Sequence, residues 1–139
     1  MPTQHWLLKT EPSSYSFADL VRKKRETWDG ITNALALKHL RTAQAGDLAL
    51  IYHTGEERAA VGLARVLGGA YPDPKRDDPK LAVIDLEPLK PLVRPVTLAE
   101  MRANPSLSGF DLLRLSRLSF VPVSPQHWDV ILKMSGTHA

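Results

Sequence analysis

LALIY at residues 48–52 is the strongest strand signal in the chain, and the rest of the fold can be placed around it. The run is wholly apolar and follows a turn signal at Gly46-Asp47. A polar connection containing Gly55 comes next, and residues 60–67 form a second run suited to a strand. Two such runs joined by a short Gly-containing connection predict a β-hairpin.

Outward from this hairpin, the chain reads as short strands with helices inserted between them. Strands are predicted at 5–9, 81–86, 90–94 and 118–123, and Pro88 and Pro91 break the strand at 81–86 from the strand at 90–94. Helices are predicted at 17–24, 33–43, 98–103, 112–116 and 125–136. Because neighbouring strands are mostly joined by tight turns, antiparallel pairing is favoured. We therefore expect an α+β fold, a small mixed or antiparallel β-barrel of five to six strands with short flanking helices.

Composition limits the class of protein. A length of 139 residues predicts one domain, spanning residues 1–139. Cysteine is absent, which excludes disulfides and thiolate metal sites and favours a reducing cytoplasm. The first residues do not resemble a signal peptide, and no apolar stretch approaches the roughly 20 residues that span a bilayer, so no membrane partner is expected. We also expect a monomer.

The charge balance permits a nucleic-acid partner without requiring one. The formal net charge is +3 and the sequence pI is about 9.3, which is only mildly basic. The run at residues 22–25 either ends a helix as a solvated patch or contacts phosphates through Arg22, Lys23, Lys24 and Arg25.

Motifs for common catalytic chemistries are missing from the sequence. No Gly-x-Ser-x-Gly elbow occurs, and Gly68-Gly69 lacks the lysine and spacing of a phosphate-binding loop. The histidines show no metal-ligand spacing; they are His5, His39, His53, His127 and His138. We therefore expect no enzyme activity, no metal and no cofactor.

Four segments each place an aromatic, charged or amide group at the end of an apolar run, where a compact domain builds a pocket. They are WLLKTEP at 6–12, WDGITN at 28–33, YHT at 52–54 and RLSFVPV at 117–123. Trp28 either fills a gap in the core or offers its face to a flat ring. Asn33 either caps a helix or pairs with the edge of a base.

Each remaining candidate residue has either a structural role or a ligand-binding role. Tyr52 and His53 are a rim pair at a sheet edge, or they contact a ligand. Lys9 and Glu11 form a surface ion pair, or they present charge at a pocket mouth. Strand alternation would place Arg117 on the same face as Ser119, which would be either solvent or a cavity.

Together with AYPD at 70–73, these segments resemble the EVE domain family of the PUA-like group, in the right order over nearly the whole chain. The resemblance implies a pseudobarrel and a reader of modified bases in DNA or RNA. It places ligand-binding roles on Lys9, Glu11, Ser13, Trp28, Asn33, Tyr52, His53 and Ser119. Apart from the resemblance, Arg22, Lys23, Lys24, Arg25 and Arg117 are candidate contacts to a nucleic-acid backbone. This chain departs from the family pattern after WDG, with Thr32, Ala34, Leu35 and Leu37 at positions that are often basic, aromatic or polar.

The leading hypothesis is therefore a non-catalytic reader with an aromatic-lined pocket. The alternatives are a small-molecule or free-nucleoside sensor, a protein-interaction module, and an enzyme on nucleic acid that uses His53 or Glu11 as acid–base. Stacking one base is worth about 1–3 kcal/mol, and flipping it out of a duplex costs a few kcal/mol, so modest affinity is expected. If Trp28 is a free platform, Trp28→Ala should abolish binding while barely lowering the melting temperature.

Overall fold

The computed structural model of the chain describes residues 3–138, so Met1, Pro2 and Ala139 of the predicted domain lie outside the described residues. Its strands are β1 His5–Thr10, β2 Glu26–Trp28, β3 Leu48–His53, β4 Ala59–Val66, β5 Tyr71–Pro72, β6 Ala82–Thr97 and β7 Phe120–Val123. Its helices are α1 Phe17–Lys23, α2 Ala34–Leu40, α3 Leu98–Ala103, α4 Asp111–Arg114 and α5 Pro125–Ser135, with a 3₁₀ turn at Pro105–Leu107.

A mixed sheet organises the molecule and confirms the predicted fold class. Six strands run in the order β2-β6-β4-β3-β1-β7 and curl into a half-barrel, while the two-residue β5 pairs with β6. The predicted hairpin is present as antiparallel β3 and β4. β1 lies parallel to β3, because the chain crosses through α1, β2 and α2 before it returns. Their carboxyl ends therefore meet at one edge, with Lys9 opposite Tyr52 and Thr10 opposite His53.

The predicted break between residues 86 and 90 is wrong, because β6 is one strand of 16 residues. Pro88 lies opposite Ala64 and Pro91 opposite Gly62, and the β4–β6 register shifts beside each pair. In the described residues, β2 and β5 pair with β6 only up to Leu86, so the later part has a free edge. Bulges and a free edge are the places where a sheet tolerates a residue without an N–H.

Local capping signals fix the helix starts as predicted. Ser16 accepts a hydrogen bond from the Asp19 amide while the Asp19 carboxylate accepts from the Ser16 amide, which is a complete capping box. Thr97 and Glu100 form the same reciprocal pair at α3.

The core is one cluster beneath α1, α2 and α5, and it includes Trp6, Leu50 and Trp128. Gly62 of β4 allows the Phe17 ring of α1 to lie close to the strand backbone, because an added Cβ at Gly62 would lie 2.4 Å from Cε1 of Phe17. The Phe17 ring therefore packs α1 directly against the sheet.

The strand predicted at 118–123 begins later than expected, at Phe120. Arg117 lies in the turn that follows α4 and is exposed, so strand alternation does not place it with Ser119. The Ser119 carbonyl nevertheless accepts a hydrogen bond from the Lys9 amide at 3.0 Å, which extends the pairing with β1 by one residue.

Candidate functional site

An open cavity of about 430 Å³ lies where the end of β1 faces β2 and the residue before β7. The residues that form it are Lys9, Thr10, Tyr15, Lys23, Glu26, Thr27, Trp28, Asp29, Gly30, Ile31, Lys75 and Ser119. The WDG segment contributes Trp28, Asp29 and Gly30 to the cavity lining, and Gly30 has a φ of +79°, a value that glycine adopts without strain. A volume of this size falls in the range of small-molecule sites.

Trp28 is both a wall of the cavity and part of the core. Only 8% of its surface is exposed, and it belongs to the main hydrophobic cluster. The Tyr15 ring meets the indole edge-on, with ring centroids 6.0 Å apart and planes at 76°. The expectation of an indole platform free of the core is therefore wrong, and Trp28→Ala would remove core volume as well as cavity wall.

The Tyr15 hydroxyl is the one buried side-chain polar atom of residues 3–138 that has no hydrogen-bond partner. Burial raises the pKa of Tyr15, and the neighbouring Glu26 carboxylate raises it further, although no hydrogen bond of normal geometry joins the two side chains. The phenol therefore stays protonated at neutral pH and retains its donor capacity.

Charges of both signs line the cavity. Lys9 Nζ donates to the Ser116 carbonyl at 2.7 Å, and burial lowers its pKa. Lys23 Nζ donates to both oxygens of Glu26, at 2.8 and 2.9 Å. Burial acts to raise the pKa of Glu26, but hydrogen bonds from Lys23 and the Thr27 amide, together with the nearby Tyr15 hydroxyl, outweigh it, so the pKa lies below its ordinary value. Glu26 is therefore an ionised acceptor at neutral pH.

Three of the eight ligand-binding residues predicted from the sequence lie in this cavity: Lys9, Trp28 and Ser119. Glu11 and Ser13 lie outside it, on an exposed turn where the Glu11 carboxylate accepts from the Ser13 amide at 2.9 Å and also from its hydroxyl.

Asn33, Tyr52 and His53 also lie outside the cavity, in supporting positions. Asn33 caps α2, since its side chain accepts from the Ala36 amide at 3.0 Å. Tyr52 is buried in the core, and burial raises its pKa.

His53 joins α1 to the loop after β3. Its Nε2 accepts from the Phe17 amide at 3.0 Å, and its Nδ1 lies 2.6 Å from a carboxylate oxygen of Glu57. This arrangement assigns the proton to Nδ1, so both ring nitrogens already have partners within the protein.

Most of the predicted phosphate-contacting run is ion-paired within the protein. Arg22 pairs with Asp19, Lys23 with Glu26, and Arg25 with Asp85. Two of the predicted cations, Lys24 and Arg117, form no ion pair within residues 3–138.

Tyr15, Glu26 and Thr27 also line the cavity, although they were not among the residues predicted from the sequence. Glu26 could have been found, because it lies two residues before Trp28 in a strand, and alternate strand residues share a face. The three-residue β2 is too short to show a strand pattern in the sequence.

Neither a metal site nor a spanning helix emerges from the part of the chain that the structure describes. In residues 3–138 no three His, Cys, Asp or Glu side chains are grouped so as to hold a metal ion. No helix within the same residues is long and apolar enough to cross a membrane.

Comparison with known proteins places the chain in a family. The EVE domain model matches residues 4–134. Human thymocyte nuclear protein 1 is 28% identical over 95% of this chain and 74% of its own length.

Solved structures agree with this match. A protein of Rhodopseudomonas palustris is 39% identical, with a TM-score of 0.91 over 96% of this chain and 94% of its own. Human THYN1, solved in complex with DNA containing 5-methylcytosine, is 27% identical, with a TM-score of 0.89 over 99% of this chain and 100% of its own.

Proposed function

Because this chain belongs to the EVE domain family, we propose that it is a single non-catalytic domain that reads a modified base in a nucleic acid. The observation that carries the proposal is the open cavity of about 430 Å³ between Trp28 and Ser119. Support comes from the human relative that was solved with DNA containing 5-methylcytosine.

The dimensions and walls of the cavity suit one base removed from its stack. Trp28 and Tyr15 offer apolar ring surface, and Lys9, Ser119 and Glu26 offer polar atoms around it. An aromatic contact is worth about 1–3 kcal/mol per base, and one extra methyl in a fitted pocket about as much. These values allow discrimination between a modified and an unmodified base, provided that the base is already unpaired or easily flipped.

The test is a binding measurement with short single-stranded oligonucleotides that differ only by one 5-methylcytosine. We expect the methylated strand to bind about tenfold more tightly than its unmodified counterpart. Ser119→Leu should abolish this preference, because the larger side chain fills the cavity while the core stays intact. Ser108→Leu is the matched control, since Ser108 is exposed and lies outside the cavity. Equal affinity for both strands across a panel of base modifications would overturn the proposal.

A free-nucleoside sensor is the second candidate, and the internal ion pairs favour it. Arg22, Lys23 and Arg25 are held by carboxylates of the protein, which leaves fewer cations for phosphates. For a reader that contacts the phosphates of a single strand, the logarithm of the binding constant falls linearly with the logarithm of the salt concentration. The slope is about −0.7 per phosphate contact. Binding of 5-methyl-2′-deoxycytidine as tightly as the oligonucleotide, with no salt dependence, would identify a sensor instead.

A further inference from the structure

We infer that a second cavity, next to the first, takes the nucleotide that adjoins the modified base, and that Lys75, Arg76 and Lys80 bind the phosphates of that strand. The inference rests on the proposed function and names the face of the protein along which the nucleic-acid strand continues.

The second cavity measures about 400 Å³ and lies between α2 and the loop of residues 73–81 that joins β5 to β6. The residues that line it are Thr32, Ala34, Leu37, Arg41, Arg76, Asp78, Lys80 and Leu81. Three of them, Thr32, Ala34 and Leu37, are positions at which this chain departs from the family pattern. Thr32 and Ala34 have short side chains, which occupy little of the space.

The two cavities adjoin each other along two segments of the chain. Ile31 lines the first cavity and Thr32 the second. In the same way, Lys75 lines the first cavity and Arg76 the second. Because consecutive Cα atoms lie only about 3.8 Å apart, the walls of the two cavities are continuous. A base in the first cavity therefore has the next nucleotide of its strand within reach of the second.

The lining of the second cavity matches the chemistry of a nucleotide. Leu37 and Leu81 offer apolar surface to a sugar or a base, and Arg76 and Lys80 offer positive charge to a phosphate. Phosphate contacts position a strand but carry no sequence information. The second cavity should therefore add affinity without adding a preference for a particular neighbouring base.

Three cations of the loop are accessible to a ligand. Lys75, Arg76 and Lys80 are exposed, and none of them forms an ion pair within residues 3–138. By contrast, three of the four cations at residues 22–25 pair with carboxylates of the protein. Phosphates are therefore bound more readily by the loop than by that run.

The carboxylates of the same loop leave these cations unpaired. Asp73 is buried and accepts from the Lys75 amide at 2.9 Å. Asp78 accepts from the Lys80 amide, also at 2.9 Å. Asp77 lies between them in the sequence but lines neither cavity. Two of the three carboxylates therefore serve the loop backbone, and the lining of the second cavity remains positive, with three cations to one carboxylate.

Hydrogen bonds hold the loop in one shape. The Asp73 amide donates to the Leu81 carbonyl at 3.2 Å, which closes the loop at the start of β6. The Arg41 guanidinium donates to the Lys80 carbonyl and so joins the end of α2 to the loop. A loop that is already ordered loses little conformational entropy when a strand binds to it.

The first experiment varies the length of the ligand. It compares 5-methyl-2′-deoxycytidine with dinucleotides in which this nucleoside carries one neighbour on its 5′ or its 3′ side. We expect one of the two dinucleotides to bind at least about tenfold more tightly than the nucleoside. Ala34→Phe, which fills the second cavity, should remove this gain and keep the preference for the methylated base. Ala103→Phe is the matched control, since Ala103 is also exposed on a helix but lines neither cavity.

The second experiment removes the charges of the loop. A triple variant with Lys75→Gln, Arg76→Gln and Lys80→Gln should bind methylated and unmodified single strands more weakly by the same factor, at least about tenfold. The slope of the logarithm of the binding constant against the logarithm of the salt concentration should become shallower by about 2. This value follows from about 0.7 for each of the three phosphate contacts.

A second triple variant controls for the loss of net charge. It carries Lys90→Gln, Arg102→Gln and Lys133→Gln, at exposed positions that form no ion pair within residues 3–138 and line neither cavity. This variant has the same formal charge as the first. We expect it to keep the salt slope of the wild type, because its lost cations do not contact phosphates.

The outcomes separate the inference from the proposed function. If the methylated strand is preferred but both triple variants have the same salt slope, the reader proposal stands and the inference is overturned. The inference also fails if neither dinucleotide binds more tightly than the nucleoside, or if the loop variant loses the methyl preference while unmodified strands bind as before. If no strand binds above background, the reader proposal fails together with it.

Discussion

The rings of Tyr15 and Trp28 meet edge-on at 6.0 Å, in a place where neither is free of the protein core. The same two side chains line the cavity, so its apolar wall is built from the packing that holds the domain together. A wall of this kind is rigid, and a rigid site loses little conformational entropy when a ligand binds. Trp28 therefore serves the hydrophobic core and the cavity wall at the same time.

Substitution of Trp28 tests this coupling. Trp28→Ala should lower the free energy of unfolding by about 3–5 kcal/mol, the usual cost of removing a large buried aromatic side chain. Trp28→Phe should cost much less, because it keeps a ring against Tyr15. Denaturant unfolding curves of both variants measure the difference. A melting temperature of Trp28→Ala equal to that of the wild type would show that the indole is not part of the core.

Substitution of Gly62 tests the contact between α1 and the sheet. An added methyl would lie 2.4 Å from Cε1 of Phe17, so Gly62→Ala should destabilise the protein by about 1–3 kcal/mol. Gly68→Ala is the matched control, because no atom lies within 4 Å of its added Cβ. Phe17→Leu in the Gly62→Ala background should recover part of the loss, and strict additivity of the two changes would argue against direct contact.

Substitution of His53 tests its supporting role. His53→Ala leaves the Phe17 amide at the start of α1 without its acceptor and should cost about 1–3 kcal/mol of unfolding free energy. His138→Ala, at an exposed position, should have no measurable effect. If His53→Ala unfolds like the wild type but no longer binds the methylated strand, the histidine acts on the ligand and not on the fold.

Acid unfolding tests the carboxylate that joins β2 to β6. Burial acts to raise the pKa of Asp85, but hydrogen bonds from Tyr71, Arg25 and Thr27 outweigh it and hold the pKa below the ordinary 3.8. A lowered folded-state pKa contributes stability that is present above the unfolded value and is lost as the pH falls through the folded value. Asp85→Asn should therefore destabilise the protein by about 1 kcal/mol at pH 7.

The difference between Asp85→Asn and the wild type should shrink as the pH falls below 3.8, and urea titrations at several pH values measure it. A difference that stays constant down to the acid limit would mean that the Asp85 charge does not contribute.

Local signals were sufficient for most of the fold. Capping residues such as Ser16 and Thr97 act within one helical turn, and the apolar run at 48–52 lies between two turn signals, which favours a strand. The order of the EVE segments along the chain was also readable without coordinates. By contrast, the break predicted at Pro88 was wrong, because proline excludes a strand only where its missing N–H is needed, and that depends on the partner strand.

What the sequence determined by itself is the β3–β4 hairpin, the helix starts and the family, because these depend on residues close together in the chain. The short strands β2 and β5 and the continuity of β6 were not predicted, because they depend on pairing with distant segments. Only the tertiary structure decided which side chains share the cavity. Tyr52 lies opposite Lys9 in the parallel pair, yet Tyr52 is buried in the core and Lys9 lines the cavity. Tyr15, Glu26 and Ser119 meet there although they are far apart in sequence. Their convergence depends on how the sheet curls and on how α1 packs against it, which are long-range properties that no single segment encodes.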